Sequence, residues 1–265
     1  MRHTVRHAGG LFVLMLITTL VGCDAGQRGL KTEVFVMGMI HGDHLSSEAY
    51  GPAVIDAMVR AYDPDVVLAE IPPDRLDEAL TSYRDSGAVT EPRVLRFPEY
   101  THVIIPQQAE LGFTIVPCAA WTQAMAEDRQ TKLVRWRETR AMESTEVQRA
   151  QQGAEKVMAR EGLSGSPEGI HTDRYDALVK QALEPYDRHF NDDLGAGGWT
   201  NINAAHYALI DEALDDVSGT GQRVLITFGA WHKYWFLEQL RERNDVTLVT
   251  YRDVMRAMES PTTQP

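Results

Sequence analysis

The chain of 265 residues holds only two cysteines, Cys23 and Cys118, too few for a disulfide framework. It contains no Gly-x-Ser-x-Gly elbow and no His-Glu-x-x-His, and no strand pattern precedes Gly195-Ala-Gly-Gly198. Serine-hydrolase, zincin and dinucleotide readings therefore lack their structural context. Basic residues are scarce: 26 Lys and Arg against 38 Asp and Glu leave a formal charge of −12, a surface on which nucleic acid is a poor partner. No apolar run approaches the roughly 20 residues that span a bilayer, and neither an internal repeat nor a low-complexity block occurs. What remains is an ordinary balance of 43% hydrophobic and 24% charged residues, enough to bury a core.

Only the first thirty residues depart from that balance. Arg2 and Arg6 form a basic region, Leu11 to Val21 is an apolar stretch, and Leu20-Val21-Gly22-Cys23 follows. This order resembles a bacterial lipoprotein signal peptide, so residues 1–22 are expected to be removed and Cys23 to carry the lipid that anchors the chain in the cell envelope. Asp24 resembles an inner-membrane retention signal, with the domain facing the periplasm or exterior. Removal of Arg2 and Arg6 takes the charge from −12 to −14. Cys118 is then the one thiol left, and no intramolecular disulfide can form. Residues 23–32 read as a tether, 33–258 as a single domain and 259–265 as a frayed tail.

Within the domain, Glu33 to Gly38, Asp65 to Glu70, Phe113 to Pro117, Arg223 to Gly229 and Val246 to Thr250 read as buried strands. Helical spacing follows the first strand, where Ser46 or Ser47 is the expected cap. Further helices are predicted over Asp74 to Ser86, Pro98 to Gly112 with a kink at Pro106, Lys233 to Arg243 and Arg252 to Met258. Residues 121–221 contain no strand pattern. They read as a helical insertion, with one long helix over Thr122 to Arg160 and others near Asp173 to Leu183 and Asn203 to Val217, forming either a cap over the sheet or a solvated layer. Strands alternating with helices predict an α/β fold: a mainly parallel sheet with helices on both faces and the helical insertion before the last two strands.

In such a sheet the site forms outside the carboxyl ends of the strands. His41, Glu70, Cys118 and His232 occupy those positions. His41 and His232 each close a Gly-x-x-His, from Gly38 and Gly229. The spacing alone is weak; the strand-end position strengthens it, because a glycine there lets the backbone turn tightly. A glutamate ending Val66-Val-Leu-Ala-Glu70 is costly to bury unless paired or ligated. Two imidazoles and a carboxylate at one edge suit a divalent metal such as zinc, manganese, cobalt or iron, or a metal-free acid and base. The plainer alternatives are that the histidines hold the turns and that Glu70 caps the next helix. Asp43 and His44 either extend the site or serve the turn. Cys118 reads as a buried inert thiol. Trp231, Tyr234, Trp235 and Phe236 line either a pocket or the core.

Three segments in order, Val-Phe-Val-Met-Gly-Met-Ile-His (34–41), Pro-Asp-Val-Val-Leu-Ala-Glu (64–70) with Pro73-Asp-Arg-Leu76, and Val-Leu-Ile-Thr-Phe-Gly-Ala-Trp-His (224–232), resemble the TraB/GumN/TIKI superfamily. That group takes in erythromycin-esterase-like and ChaN-like haem-binding proteins. The resemblance covers roughly residues 33–120 and 200–255. It implies an α/β fold in which His41, Glu70 and His232 face one cleft. In the TIKI branch such residues serve metal-dependent peptide hydrolysis, in the esterase branch a hydrolytic water. ChaN-like lipoproteins bind haem, for which Tyr100 and His102 are the axial candidates here. The chain departs from the family at Thr200-Asn201-Ile-Asn203-Ala-Ala-His206, where many relatives carry an arginine. His206 or Arg188 is the candidate replacement.

The expected function is thus an envelope-anchored hydrolase of peptide or ester bonds. His41, Glu70 and His232 are its catalytic residues or ligands of manganese, cobalt or zinc, and His44, Asp43, Trp231 and Asn201 contact the substrate. The alternatives are a haem- or iron-binding lipoprotein and a non-catalytic envelope interaction protein.

Overall fold

A computed structural model describes residues 30–259. The expected signal peptide, the expected lipidation site Cys23, Asp24, residues 23–29 of the expected tether and 260–265 of the tail lie outside the described residues. Five strands form: β1 (Thr32–Met39), β2 (Val66–Ala69), β3 (Thr114–Pro117), β4 (Arg223–Gly229) and β5 (Val246–Leu248). They make one sheet in the order β3-β2-β4-β1-β5, and every pairing is parallel. Each strand falls within two residues of its sequence expectation, since unbroken β-branched runs have no amphipathic helical face to offer.

Strand alternation divides the core between the two faces of the sheet. Phe35, Met37, Met39, Val67 and Ala69 pack with α1 (Pro52–Tyr62), α2 (Leu76–Ser86), α3 (Ile105–Leu111) and α10 (Tyr251–Glu259). Val34, Val36, Leu68, Val224, Ile226 and Phe228 pack on the other face against α8 (Trp199–Asp216) and α9 (Lys233–Leu240). The predicted α/β architecture with helices on both faces is what the chain forms. β2 connects outward to β3 and β4 connects the other way to β5, so their carboxyl ends part at a topological switch point.

The insertion contains α4 (Gln123–Thr139), α5 (Ala141–Arg160), α6 (Pro167–Ile170) and α7 (Asp173–Leu194) ahead of α8. Trp136, Val147, Tyr186, Phe190 and Leu194 form a small core of its own. Met158, Ile170, Tyr175, Leu178 and Val179 join the main core, so the insertion is built into the domain. His171 sutures it to the sheet: Nε2 accepts from the Gly38 amide at 3.1 Å while Nδ1–H donates to Pro167 O at 2.6 Å.

Several helix limits differ from the sequence expectation. Neither Ser46 nor Ser47 caps α1, which starts at Pro52 after Gly51; residues His41–Leu45 instead form a 3-10 turn. Ser47 Oγ accepts from Tyr50 N at 3.0 Å and donates to Gly165 O at 3.1 Å, joining this turn to the insertion. The long helix breaks at Arg140, whose φ of −132° and ψ of 52° are not helical. α7 runs on through Pro185 to Leu194, and α8 begins at Trp199. Over Pro98 to Gly112 the chain forms a π turn, Glu99–Ile104, before α3. Pro106 has no N–H and its ring crowds the carbonyl four residues back, which fits the widened π turn that precedes it.

Candidate functional site

The carboxyl ends of β1, β2 and β4 bring His41, Glu70 and His232 to one edge of the sheet. His41 follows β1 in the left-handed region, with φ of +50°, a conformation uncommon for a residue with a Cβ and one found at functional sites. Its Nδ1 lies 2.7 Å from Glu99 Oε1 and its Nε2 lies 3.6 Å from Glu70 Oε2. The first is a charge-assisted hydrogen bond; the second is an ion-pair distance too long for one. Burial opposes charge on the imidazole, but the Glu99 hydrogen bond and the two carboxylates outweigh it and raise the pKa to about 9. His41 is therefore an imidazolium at neutral pH, and its Nε2–H is left without a close acceptor among the described residues.

Glu70 is anchored on both sides of its Cα. Its Oε2 accepts from the Gly229 amide at 2.7 Å, which ties the end of β2 to the end of β4. Its own amide donates to Tyr100 OH at 2.6 Å, and that hydroxyl donates to Thr227 O at 2.7 Å. Burial raises the Glu70 pKa against the opposing pull of His41 and the Gly229 amide.

His232 precedes α9 and is 9% exposed. Asn203 Nδ2 donates to Trp199 O at 2.8 Å, so its Oδ1 faces His232 Nδ1 at 2.7 Å and accepts that proton. The network assigns the proton to Nδ1 and leaves Nε2 a free lone pair. Trp199 stacks on the ring, centroids 4.6 Å apart, and donates to Tyr234 OH at 2.9 Å. Burial, helped by the nearby His206 and His41, drives the His232 pKa well below the ordinary value. The surroundings of the two Gly-x-x-His histidines thus push their pKa values in opposite directions, His41 toward the cation and His232 toward the neutral base.

Both line a cavity of about 660 Å³, together with Met39, Trp199, Gly229 and Trp231. Its outer part is formed by Asp43, Ser46, Ser47 and Glu155. Of the other residues proposed for the site from sequence, Asp43 and Trp231 line this cavity, whereas Glu70, His44 and Asn201 do not. His44 is fully buried, with Nε2 accepting from Ile40 N at 3.0 Å and Nδ1–H donating to Tyr50 O at 2.6 Å, so no ring nitrogen is left for a substrate. Asn201 Nδ2 donates to Gly195 O at 2.7 Å and holds the loop before α8. Arg188 pairs with Glu184 and Glu146 on the surface of α7. Cys118 is fully buried, and burial pushes its thiol up to about 12, the inert role expected of it. Tyr100 is fully buried with its hydroxyl engaged, and His102 is exposed and outside the cavity lining. Neither is placed to hold a haem in this cavity.

His206 is fully buried behind His232, the ring centroids 5.4 Å apart. Its Nδ1 accepts from Ala120 N at 2.8 Å, which puts the proton on a buried Nε2 that has no partner among the described residues. Burial lowers its pKa to about 4, so it brings no charge to stand in for an arginine.

Sequence reasoning missed Glu99 and Trp199, the pairing of Asn203 with His232, and the bridging role of Tyr100, which it offered only as a haem ligand. Asn203 and His206 sit in the buried stripe Ile202, Asn203, His206, Ile210 of α8; polar residues on an otherwise apolar face were the available signal. Glu99 lies in a π turn that the pattern read as ordinary helix.

His41 Nε2 and Glu70 Oε2 are close, but among the described residues no group of three or more His, Cys, Asp or Glu side chains is arranged to hold a metal ion. No helix among the described residues is long and apolar enough to cross a membrane. No family model, no curated protein and no solved structure matches this chain.

Proposed function

We propose that the protein is a hydrolase of ester or peptide bonds that works by histidine acid-base chemistry at the ends of β1, β2 and β4, anchored at the cell envelope through lipid on Cys23. The observation behind this reading is that two histidines line one cavity with opposite kinds of partner, His41 Nδ1 held by the Glu99 carboxylate and His232 Nδ1 held by the Asn203 amide oxygen, which favours charge on the first ring and neutrality on the second. His232 Nε2 takes a proton from water as the water oxygen bonds to the carbonyl carbon. His41 Nε2–H donates to the oxyanion that forms, the role of a preorganised cationic donor. Collapse breaks the carbon–oxygen or carbon–nitrogen bond, and the proton on His232 passes to the leaving group. Glu70 and Glu99 are positioning residues that keep His41 charged and oriented, and Asn203 keeps the His232 proton on Nδ1. The three-motif resemblance to the TraB/GumN/TIKI superfamily supports the same class of chemistry.

The test is turnover of a panel of p-nitrophenyl esters and quenched fluorogenic peptides by residues 24–265. Wild type should hydrolyse at least one class. His41→Gln and His232→Gln should each lower kcat/KM by about 10²- to 10⁴-fold without shifting the thermal midpoint by more than a few degrees. No hydrolysis of either class, or variants that retain full rates, would overturn the reading. Stoichiometric divalent metal in wild type that is lost in His41→Ala, Glu70→Ala and His232→Ala would replace the metal-free step with a metal-assisted one.

A further inference from the structure

The cavity lining divides into buried and exposed residues of different chemistry. The buried part includes the ring of His232, nine-tenths buried, with Nε2 unpartnered among the described residues. The rest of the buried and half-buried lining is largely apolar and aromatic, with Met39, Met158, Ile170, Tyr175, Trp199 and Trp231. The mouth is marked by the exposed residues, and its two charged groups are both carboxylates, Asp43 from the turn after β1 and Glu155 from α5. Neither makes a salt bridge among the described residues, and no Lys or Arg lines the cavity. The one cation within it, His41, is already matched by Glu70 and Glu99. The net field that an entering molecule meets at the mouth is therefore negative, reinforced by the chain's charge of −12.

We infer that this cavity takes a molecule with an apolar or aromatic body and a cationic group, such as a primary ammonium, at its outer end. The inference rests on the proposed function only in taking the same cavity as the site. The body would displace water from the Trp199 and Trp231 wall, where aromatic faces also favour a nearby cation. The ammonium would sit at the exposed carboxylates of the lining, Asp43 from the turn after β1 and Glu155 from α5. An anionic ligand of the same shape would meet two carboxylates and no counter-charge.

Binding of three matched probes by calorimetry tests this without any turnover: 2-phenylethylamine, its neutral N-acetyl derivative and 3-phenylpropionate. In low salt wild type should bind the amine about tenfold tighter than the neutral probe and tighter still than the anion, the size expected of two partly exposed carboxylates. The preference should shrink to within about twofold in the double variant Asp43→Asn, Glu155→Gln, and also in about 0.5 M NaCl, where the Debye length is only a few ångströms. Equal binding of all three, preference for the anion, no binding of any, or a preference indifferent to the double variant would overturn the inference. Repeating the titration with His41→Gln separates the two ideas. Loss of hydrolysis with the amine preference intact means that only the catalytic reading is at stake, whereas hydrolysis without amine preference means that only this inference fails.

Discussion

A Cβ added at Gly229 would lie 2.7 Å from Nε2 of His41. The last residue of β4 therefore has to be glycine for the imidazole after β1 to reach across it toward Glu70. Gly229→Ala should push His41 off its position, because the contact is far inside ordinary van der Waals distance. A stability loss of about 1–3 kcal/mol is expected, the usual cost of overpacking, together with a fall in the His41 pKa toward 6.5 as the Glu70 and Glu99 contacts loosen. Denaturant unfolding and an NMR titration of the His41 ring check both. An unchanged pKa would show that the close approach is not what sets the charge of His41.

The same charge gives a pH signature. His41 titrates near 6.5 in an unfolded chain and near 9 when folded. Its ion pairs therefore contribute their full stability below about pH 6.5, and that contribution declines as pH rises toward 9 and is gone above it. His232 runs the other way: its folded pKa is depressed, so folding is penalised as pH falls below 6.5 and the unfolded ring takes up a proton. The proposed hydrolysis needs His41 charged and His232 neutral. The pH profile of kcat/KM should be flat through neutrality and fall about tenfold per unit above about pH 9. A rate that still rises through pH 9 would exclude an imidazolium role.

Asn203→Ala removes the acceptor that fixes the proton on His232 Nδ1. Turnover should drop by about 10- to 100-fold in kcat with little change in KM, since the ring loses its tautomer rather than its contact with substrate. The imidazole ¹⁵N shifts of His232 should move from a single Nδ1–H form toward a tautomer mixture. A variant that changes only the melting temperature would make Asn203 a packing residue.

His44 is predicted to matter for stability and not for substrate binding. His44→Ala strips a partner from both the Ile40 amide and the Tyr50 carbonyl in a fully buried position, with an expected cost of about 2–4 kcal/mol. At a temperature where the variant remains folded its KM should match wild type. A raised KM with no loss of stability would return His44 to the substrate.

Cys23→Ser in the full-length chain should abolish incorporation of labelled palmitate and release the protein from the membrane fraction. Persistent membrane association would point to another means of attachment.

The inner strands β1, β2 and β4 were legible because they are short apolar runs closed by Gly or an acidic residue, and a parallel strand buried on both faces leaves that mark in the chain itself. Local order along the chain also sufficed to bring His41, Glu70 and His232 to one edge, since strand-end residues of a parallel sheet share that edge whatever the strand order. The order β3-β2-β4-β1-β5 was not written locally, and neither were the partners that decide charge. Glu99 meets His41 across 58 residues and Asn203 meets His232 across 29, from a π turn and a helix whose own periodicity says nothing of strand ends. Sequence by itself determined which side chains stand at the sheet edge. Tertiary packing alone decided that one of the two histidines is charged and the other neutral, because a pKa is set by burial and by neighbours brought in from distant parts of the chain.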